Sequence, residues 1–404
     1  MGTRGGMRYV APPLCATRRH PEVAPAPVRH GRRSGSHLRV IGSWDLRGPV
    51  VSVDGMEIAD ARVLWEPEPG WLNTASYGLP PTPAYEAVLA AQRDWRTGHT
   101  SWEAWGEAGE VARESFAALV GADVADITIG ANVSSLLAPV AASLPPGTRV
   151  VVPDIEFTSN VFPWMVQEPR GIEVVTVPCD KLAEAVDERT DVVAYSLVQS
   201  ADGSIADDDA ILAAARAAGA LVVVDGTQAV GWMPVDATRY DVLAVGGYKW
   251  LMNPRGTGFA YFAPGVRDRF VPVAAGWFAG EDPHASFYGG PLRLAANARR
   301  FDSSPAWFAW VGAAPAIDVV REIGVEKIRA HNVGLANRFS TGLGRPAGTS
   351  AIVTVDVPGA EAALAAAGVR AAVRAGRVRA SFHVYSTEHD VDMAVEALRG
   401  LNGA

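Results

Sequence analysis

Leu221-Val-Val-Val-Asp225-Gly-Thr-Gln228-Ala-Val-Gly231-Trp-Met-Pro234-Val-Asp236-Ala-Thr-Arg-Tyr-Asp241-Val-Leu-Ala-Val245-Gly-Gly-Tyr-Lys249 is the stretch that decides how this chain folds. Leu221–Val224 is a short apolar run, mostly β-branched, and Val242–Val245 is a second. Phe259–Phe262 follows as a third, beyond Pro254-Arg255-Gly256. Runs of four apolar residues bounded by Gly and Pro read as buried strands. An acid closes the first strand and a lysine closes the second. A lone Lys or Asp at a strand end is usually a solvated or turn-forming residue, so neither carries an argument by itself.

Outward from this stretch, helical and extended patterns alternate. Helices are expected near Ala84–Trp95, Glu107–Val120, Asn132–Ser143 and Asp207–Ala218. Strands are expected at Ile127–Ile129, Val150–Val152, Glu173–Val177 and Asp191–Leu197. This alternation predicts an α/β large domain with a mostly parallel sheet covered on both faces. Ligands of such sheets sit beyond the carboxyl ends of the strands, where Asp225 and Lys249 fall. After Ser304 the pattern changes. A long helix at Trp307–Ile323, strands at Ala351–Val355 and Val378–Phe382, and a capping-box start at Thr387-Glu-His-Asp390 read as a smaller α+β C-terminal domain. The expected organisation is an extension at 1–55, an N-terminal segment at 56–83 packing with the small domain and the substrate mouth, a large domain at 84–303 and a small domain at 304–404.

The chain has 404 residues, 49% hydrophobic and 20% charged, enough for two domains with real cores. It has no apolar stretch long enough to span a bilayer. Two cysteines, Cys15 and Cys179, make no disulfide framework and no metal spacing, which points to a reducing cytoplasm. Residues 1–40 hold eight arginines and one acid. Their Arg/Pro/Gly-rich, aperiodic composition reads as a disordered extension. The remainder is strongly acidic, since the whole carries a net charge of −8, which argues against nucleic acid as a partner of the folded part.

Pyridoxal phosphate chemistry needs a lysine to form an imine with the cofactor aldehyde and a carboxylate to keep the pyridine nitrogen protonated. With Asp225-x-x-Gln228, Gly231-x-x-Pro234-x-Asp236, Asp241 and Gly247-Tyr-Lys249 in order, the chain resembles the class V aminotransferase family. This group of fold-type I enzymes includes cysteine desulfurases, isopenicillin N epimerase-like proteins and C–S lyases. The resemblance runs from about Leu72 to the C-terminus.

That resemblance implies roles residue by residue. Lys249 matches the Schiff-base lysine, Asp225 the partner of the pyridine nitrogen, and Gln228 the amide on the phenolic oxygen. Gly130-Ala131-Asn132-Val133-Ser134 matches the phosphate loop at a helix N-terminus, with Asn132 replacing the usual threonine. Phe157 stands where desulfurases carry a ring-stacking histidine; it can stack but cannot move a proton. Tyr248 replaces the histidine before the lysine. Ser304, in Ser303-Ser304-Pro305, matches a hydroxyl residue that reaches the partner's phosphate, which implies a homodimer with shared sites. Arg379 matches the clamp for the substrate α-carboxylate, and Ser76 and Tyr77 match the substrate mouth. Trp102, Trp105 and His383 are read as packing residues.

The persulfide cysteine of a desulfurase precedes the carboxylate-binding arginine. Here 368–377 contains no cysteine, so that route is not expected. An aminotransferase acting on an amino acid is the first reading. A β-eliminating C–S lyase of thiol metabolism, such as a hercynylcysteine sulfoxide lyase-like enzyme, or an epimerase, is the alternative. A catalytically idle cofactor-binding sensor is a remote third.

Overall fold

Seven apolar runs become the seven strands of one sheet: β1 Ile127–Gly130, β2 Arg149–Pro153, β3 Glu173–Val177, β4 Val192–Ser196, β5 Leu221–Asp225, β6 Val242–Gly246 and β7 Gly258–Phe262. The structure, a computed structural model, describes residues 56–402; the Arg-rich extension at 1–55 and Cys15 lie outside the described residues. The strand order is β1-β7-β6-β5-β4-β2-β3. Strands β2 to β6 pair in parallel, and β7 runs antiparallel to both of its neighbours.

The sheet is apolar on both faces because alternate residues serve different cores. Val151, Val193, Val222, Val224, Leu243 and Val245 pack into one cluster. Val150, Val152, Val192, Leu221, Val223 and Val242 pack into another. This is the period-two pattern of a sheet covered on each side. The covering helices include Thr82–Thr97, Trp102–Leu119, Val133–Ser143 and Asp208–Ala218. Asn132 and Asp207 cap the last two by accepting from the N–H of Ser135 and Ala210, which sets where those helices begin.

A second sheet holds β8 Ile352–Val355, β9 Ala372–Arg374 and β10 Arg377–Ser381 in the order β8-β10-β9, all antiparallel. Helices Val325–Gly342 and Glu388–Asn402 pack against it. The capping box forms as expected. The Thr387 Oγ1 accepts from the Asp390 N–H at 3.2 Å, and the Asp390 carboxylate accepts from the Thr387 N–H at 2.7 Å. The turn joining β9 to β10 is Ala375-Gly376, with φ of 47° and 75°. Left-handed backbone suits Gly376 and costs Ala375 about 1–2 kcal/mol.

One expectation for this region needs correction, and three elements went unread. The helix expected at Trp307–Ile323 divides at Gly312 into Trp307–Val311 and Ala313–Ile323. At Gly312 an added Cβ would lie 2.9 Å from Pro254 Cγ and from Val88 Cγ2, so the chain passes its neighbours at glycine distance. The second of these helices packs on Trp102–Leu119 within the main core. Helix Val325–Gly342 was not foreseen, because Asn332 and Ser340 interrupt its buried face of Ile328, Leu335, Ala336 and Phe339. Helix Ala360–Ala366 and β9 were likewise not foreseen.

Two connections tie the layers together. Arg113 and Asp302, both fully buried, pair at 2.6 Å. Asp302 also accepts from Thr128 Oγ1 at 2.7 Å and the Ile129 N–H at 2.9 Å. Segment 70–78 runs along β10: Ser381 N–H donates to Leu72 O, Ala75 N–H to Ser381 Oγ, and Gly78 N–H to Tyr248 O. Among the described residues, no helix is long and apolar enough to cross a membrane.

Candidate functional site

Strands β5 and β6 are parallel neighbours, so their carboxyl ends lie side by side. Asp225 is the last residue of β5, and Lys249 follows β6 by three residues. Both are buried. The Asp225 Oδ1 accepts from the Thr227 N–H at 2.8 Å, and the Thr227 Oγ1 accepts from the Gly246 N–H at 2.9 Å. Thr227 therefore stitches the two strand ends together. Burial pushes the Asp225 carboxyl up; the Thr227 hydrogen bonds and the Lys249 charge oppose this. Burial pushes the Lys249 amine down to about 8; Asp225 opposes this, and Arg379, Arg374 and Arg255 reinforce it. An amine in that range is substantially neutral near pH 8 and able to attack a carbonyl.

The lysine turn is held tightly. Gly247 N–H donates to Thr257 O, Asn253 N–H to Gly247 O and Met252 N–H to Lys249 O. Met252 adopts a φ of 57°. Segment 70–78 passes so close that a Cβ on Gly78 would come within 2.1 Å of the Lys249 carbonyl oxygen. His383 Nε2 lies 3.0 Å from Trp250 O, and burial pushes its pKa down to about 3. It is a neutral, structural histidine.

Around the amine stand two rings. Phe157 has its centroid 5.4 Å from Lys249 Nζ, and Tyr248 has its centroid 5.7 Å away. The Arg255 guanidinium lies 4.8 Å from the Tyr248 ring centroid. Gln228 is buried and committed: its Nε2 donates to Ala75 O at 3.0 Å and Ser200 Oγ at 3.1 Å. Its Oε1 accepts from Trp250 Nε1 at 2.9 Å. A cofactor oxygen reaching Gln228 would replace one of these partners.

Ala131, Asn132 and Val133 form the turn from β1 into helix Val133–Ser143. The first amides of a helix have no helical carbonyl to donate to and favour an anion. Asn132 Oδ1 already takes the Ser135 N–H and the Ser134 hydroxyl, leaving the amides before them for a ligand. Ser304 is exposed, and no described hydrogen bond joins it to the residues around Lys249.

Arg379, on β10, is 1% exposed. Its Nη1 donates to Ser200 O and to Ser200 Oγ at 3.0 Å, and its Nη2 donates to Ser76 Oγ at 3.1 Å. Its Nε is buried with no partner, and no carboxylate pairs with it among the described residues. A buried guanidinium without a counter-ion is a receptor for a planar anion. Tyr77 is half exposed and packs 4.7 Å from Trp71. Trp102 stacks on Trp307 at 5.8 Å, and Trp105 lies in a hydrophobic cluster, so both are packing residues.

Sequence reasoning overlooked two site residues. Ser200 binds both Gln228 and Arg379, and lies just beyond β4 at the same carboxyl edge, where the strand-end rule would have found it. Glu156 is buried beside Asp225 and accepts from the Ser196 hydroxyl and N–H, from Gln199 Nε2 at 3.0 Å and from the Phe157 N–H at 2.9 Å. Burial pushes its carboxyl up, and Asp225 adds to that. Glu156 anchors the loop that carries Phe157. Among the described residues no cluster of His, Cys, Asp or Glu fits a metal ion.

The residues present fit pyridoxal phosphate. They supply a buried amine of lowered pKa, a buried carboxylate beside it, an aromatic face and a helix N-terminus. The family model for aminotransferase class-V matches residues 84–393. Isopenicillin N epimerase from Streptomyces clavuligerus is 31% identical over 412 residues, covering 87% of this chain and 100% of that protein. A probable cysteine desulfurase from Methanothermobacter thermautotrophicus is 30% identical over 250 residues, covering 56% of this chain and only 59% of that protein. Among solved structures, C-DES with glycine covalently linked to its pyridoxal phosphate superposes with a TM-score of 0.75 at 22% identity, covering 83% of this chain and 97% of that one.

Proposed function

Because this chain belongs to the class-V aminotransferase family and takes pyridoxal phosphate as its cofactor, we propose that it is an aminotransferase acting on an amino acid. The observation that carries the proposal is the convergence of Lys249 and Asp225 at adjacent strand ends with the buried, carboxylate-free Arg379. When bound, pyridoxal phosphate supplies an aldehyde for amines and a ring that withdraws electrons from the substrate Cα.

Each residue has a task. Asp225 would balance positive charge on the ring nitrogen, and its burial would strengthen that pairing. Phe157 would offer a flat apolar face to the ring, and Ala131, Asn132, Val133 and Tyr248 would hold the phosphate, joined in a homodimer by the partner's Ser304. Gln228 would reach the ring oxygen by giving up one of its present partners. Arg379 takes the substrate carboxylate, with Ser76 and Tyr77 at the mouth, and so presents Cα to Lys249. Lys249 holds the proton removed from Cα.

One base working from one face suffices for transamination. Epimerisation needs a proton donor on the other face of Cα. Phe157, whose ring centroid lies 5.4 Å from Lys249 Nζ, offers none. The full-length match to an epimerase nonetheless supports epimerisation as a second reading. Persulfide desulfuration is disfavoured. Residues 368–377 carry no cysteine, and burial pushes the Cys179 thiol up to about 11, so little thiolate forms.

Holoenzyme given an amino donor without an acceptor should exchange its ~420 nm absorption for a ~330 nm band as the amine stays on the cofactor. If the ~420 nm band persists while ammonia and a 2-oxo acid accumulate, elimination is the reaction. Racemisation of the donor with the band unchanged identifies an epimerase.

A further inference from the structure

The arginine that clamps the α-carboxylate does not stand alone. Arg374 and Arg377 are register partners across the Ala375-Gly376 turn, and Arg379 lies opposite Ala372. Opposed residues of an antiparallel pair share a face, as do residues two apart on one strand. Arg374 is therefore the diagonal neighbour of Arg379 on the same face. The Arg374 Nη2 donates to Ser76 Oγ at 3.2 Å, the same oxygen that Arg379 Nη2 reaches at 3.1 Å. The two nitrogens consequently lie no more than about 6 Å apart.

Neither arginine pairs with a carboxylate among the described residues. Arg379 keeps an unpartnered buried Nε, and the other contact of Arg374 is with the neighbouring Val373 carbonyl at 2.7 Å. In a folded part that carries an excess of acids, two like charges converge on one neutral hydroxyl. Anions bound there would relieve the repulsion between the two charges. Carboxylates separated by two or three carbons lie roughly 4–5 Å apart on ordinary bond lengths, a span that matches two guanidinium groups so placed.

We propose that the substrate is an amino acid bearing a second, side-chain carboxylate two or three carbons from the first, and that Arg374 is the specificity-determining residue that binds it. The inference rests on the assignment of Arg379 to the α-carboxylate. Arg374 sits at an exposed hairpin tip, so it reads the distal group without contributing to the core. Ser76 holds both guanidinium groups in register until the substrate arrives.

The test uses unreactive probes, so that it is independent of which reaction the enzyme performs. Binding of glutarate and succinate to the holoenzyme is compared with that of butyrate by isothermal titration calorimetry, in the wild type and in Arg374→Gln and Arg374→Lys. Glutarate should bind the wild type about tenfold to a hundredfold more tightly than butyrate, the range one charged hydrogen-bonded contact contributes. Arg374→Gln should remove that difference and leave butyrate unchanged, and Arg374→Lys should restore part of it. The proposal is overturned if the wild type binds the two acids equally, or if Arg374→Gln weakens both alike. Failure of transamination with glutarate binding intact would strike the reaction assignment alone.

Discussion

Replacing Arg379 by Met separates what this residue does for substrate from what it does for the fold. Methionine keeps most of the volume and removes the charge. Three hydrogen bonds from a charged donor are lost, two to Ser200 and one to Ser76, at roughly 1.5–3 kcal/mol each. Against this, a buried guanidinium with no carboxylate partner and one orphaned nitrogen disappears, which relieves several kcal/mol of desolvation. The two contributions are of similar size and opposite sign. Thermal unfolding of Arg379→Met should therefore occur within about 4 °C of the wild type. Catalysis has no such compensation. Loss of a charged contact worth roughly 1.5–3 kcal/mol lowers kcat/KM by about one to two decades. Differential scanning calorimetry and steady-state kinetics on one preparation decide the matter. A strongly lowered Tm would make Arg379 a structural residue, and an unchanged kcat/KM would remove it from the substrate site.

Three further outcomes are expected. Asp302→Ala leaves the buried Arg113 with the half-exposed Glu110 as its remaining carboxylate partner, so urea unfolding should show a loss of about 3–5 kcal/mol; the paired Arg113→Met, Asp302→Leu protein should lose much less. Gly78→Ala forces its Cβ against the Lys249 carbonyl, and cofactor content measured from the visible band should fall at least several-fold, whereas wild-type loading would contradict the tight approach seen here. Cofactor uptake by apoprotein should accelerate as pH rises and level off above about 8, because burial favours the neutral Lys249 amine. By the same sign, Lys249 costs the apoprotein stability below its folded pKa, and that cost fades as pH rises toward the ordinary lysine value; uptake still climbing at pH 10 would contradict it.

Much of the large sheet was legible because buried parallel strands are written as apolar runs with polar punctuation. Leu221–Asp225 and Val242–Gly246 read directly as strands, whereas the roles of Asp225 and Lys249 came from the resemblance carried by the motif between them. Helices with side-chain caps were placed to within a residue or so, as at Asn132 and Asp207. Legibility failed where burial is earned by polar side chains. Asn332 faces the core of helix Val325–Gly342 and broke its pattern for a reader of hydrophobicity. The three residues of β9 are visible only through pairing with β10. Ser200 and Glu156 carry no motif of their own; distant partners brought together by the fold give them a place in the site.

The run from Gly70 to Gly78 shows what such assembly entails. Its residues touch the cap of the last helix through Asp390, the strand that carries Arg379, the amide of Gln228 through Ala75, and the lysine turn through Gly78. Nine consecutive residues thereby act as a splint across parts of the chain more than three hundred positions apart. Opening the backbone within this run, by circular permutation or by a single inserted residue, would uncouple the arginine clamp from the lysine at one stroke. The same operation at the exposed Ala375-Gly376 turn would leave the lysine in place and alter only which anions are recognised.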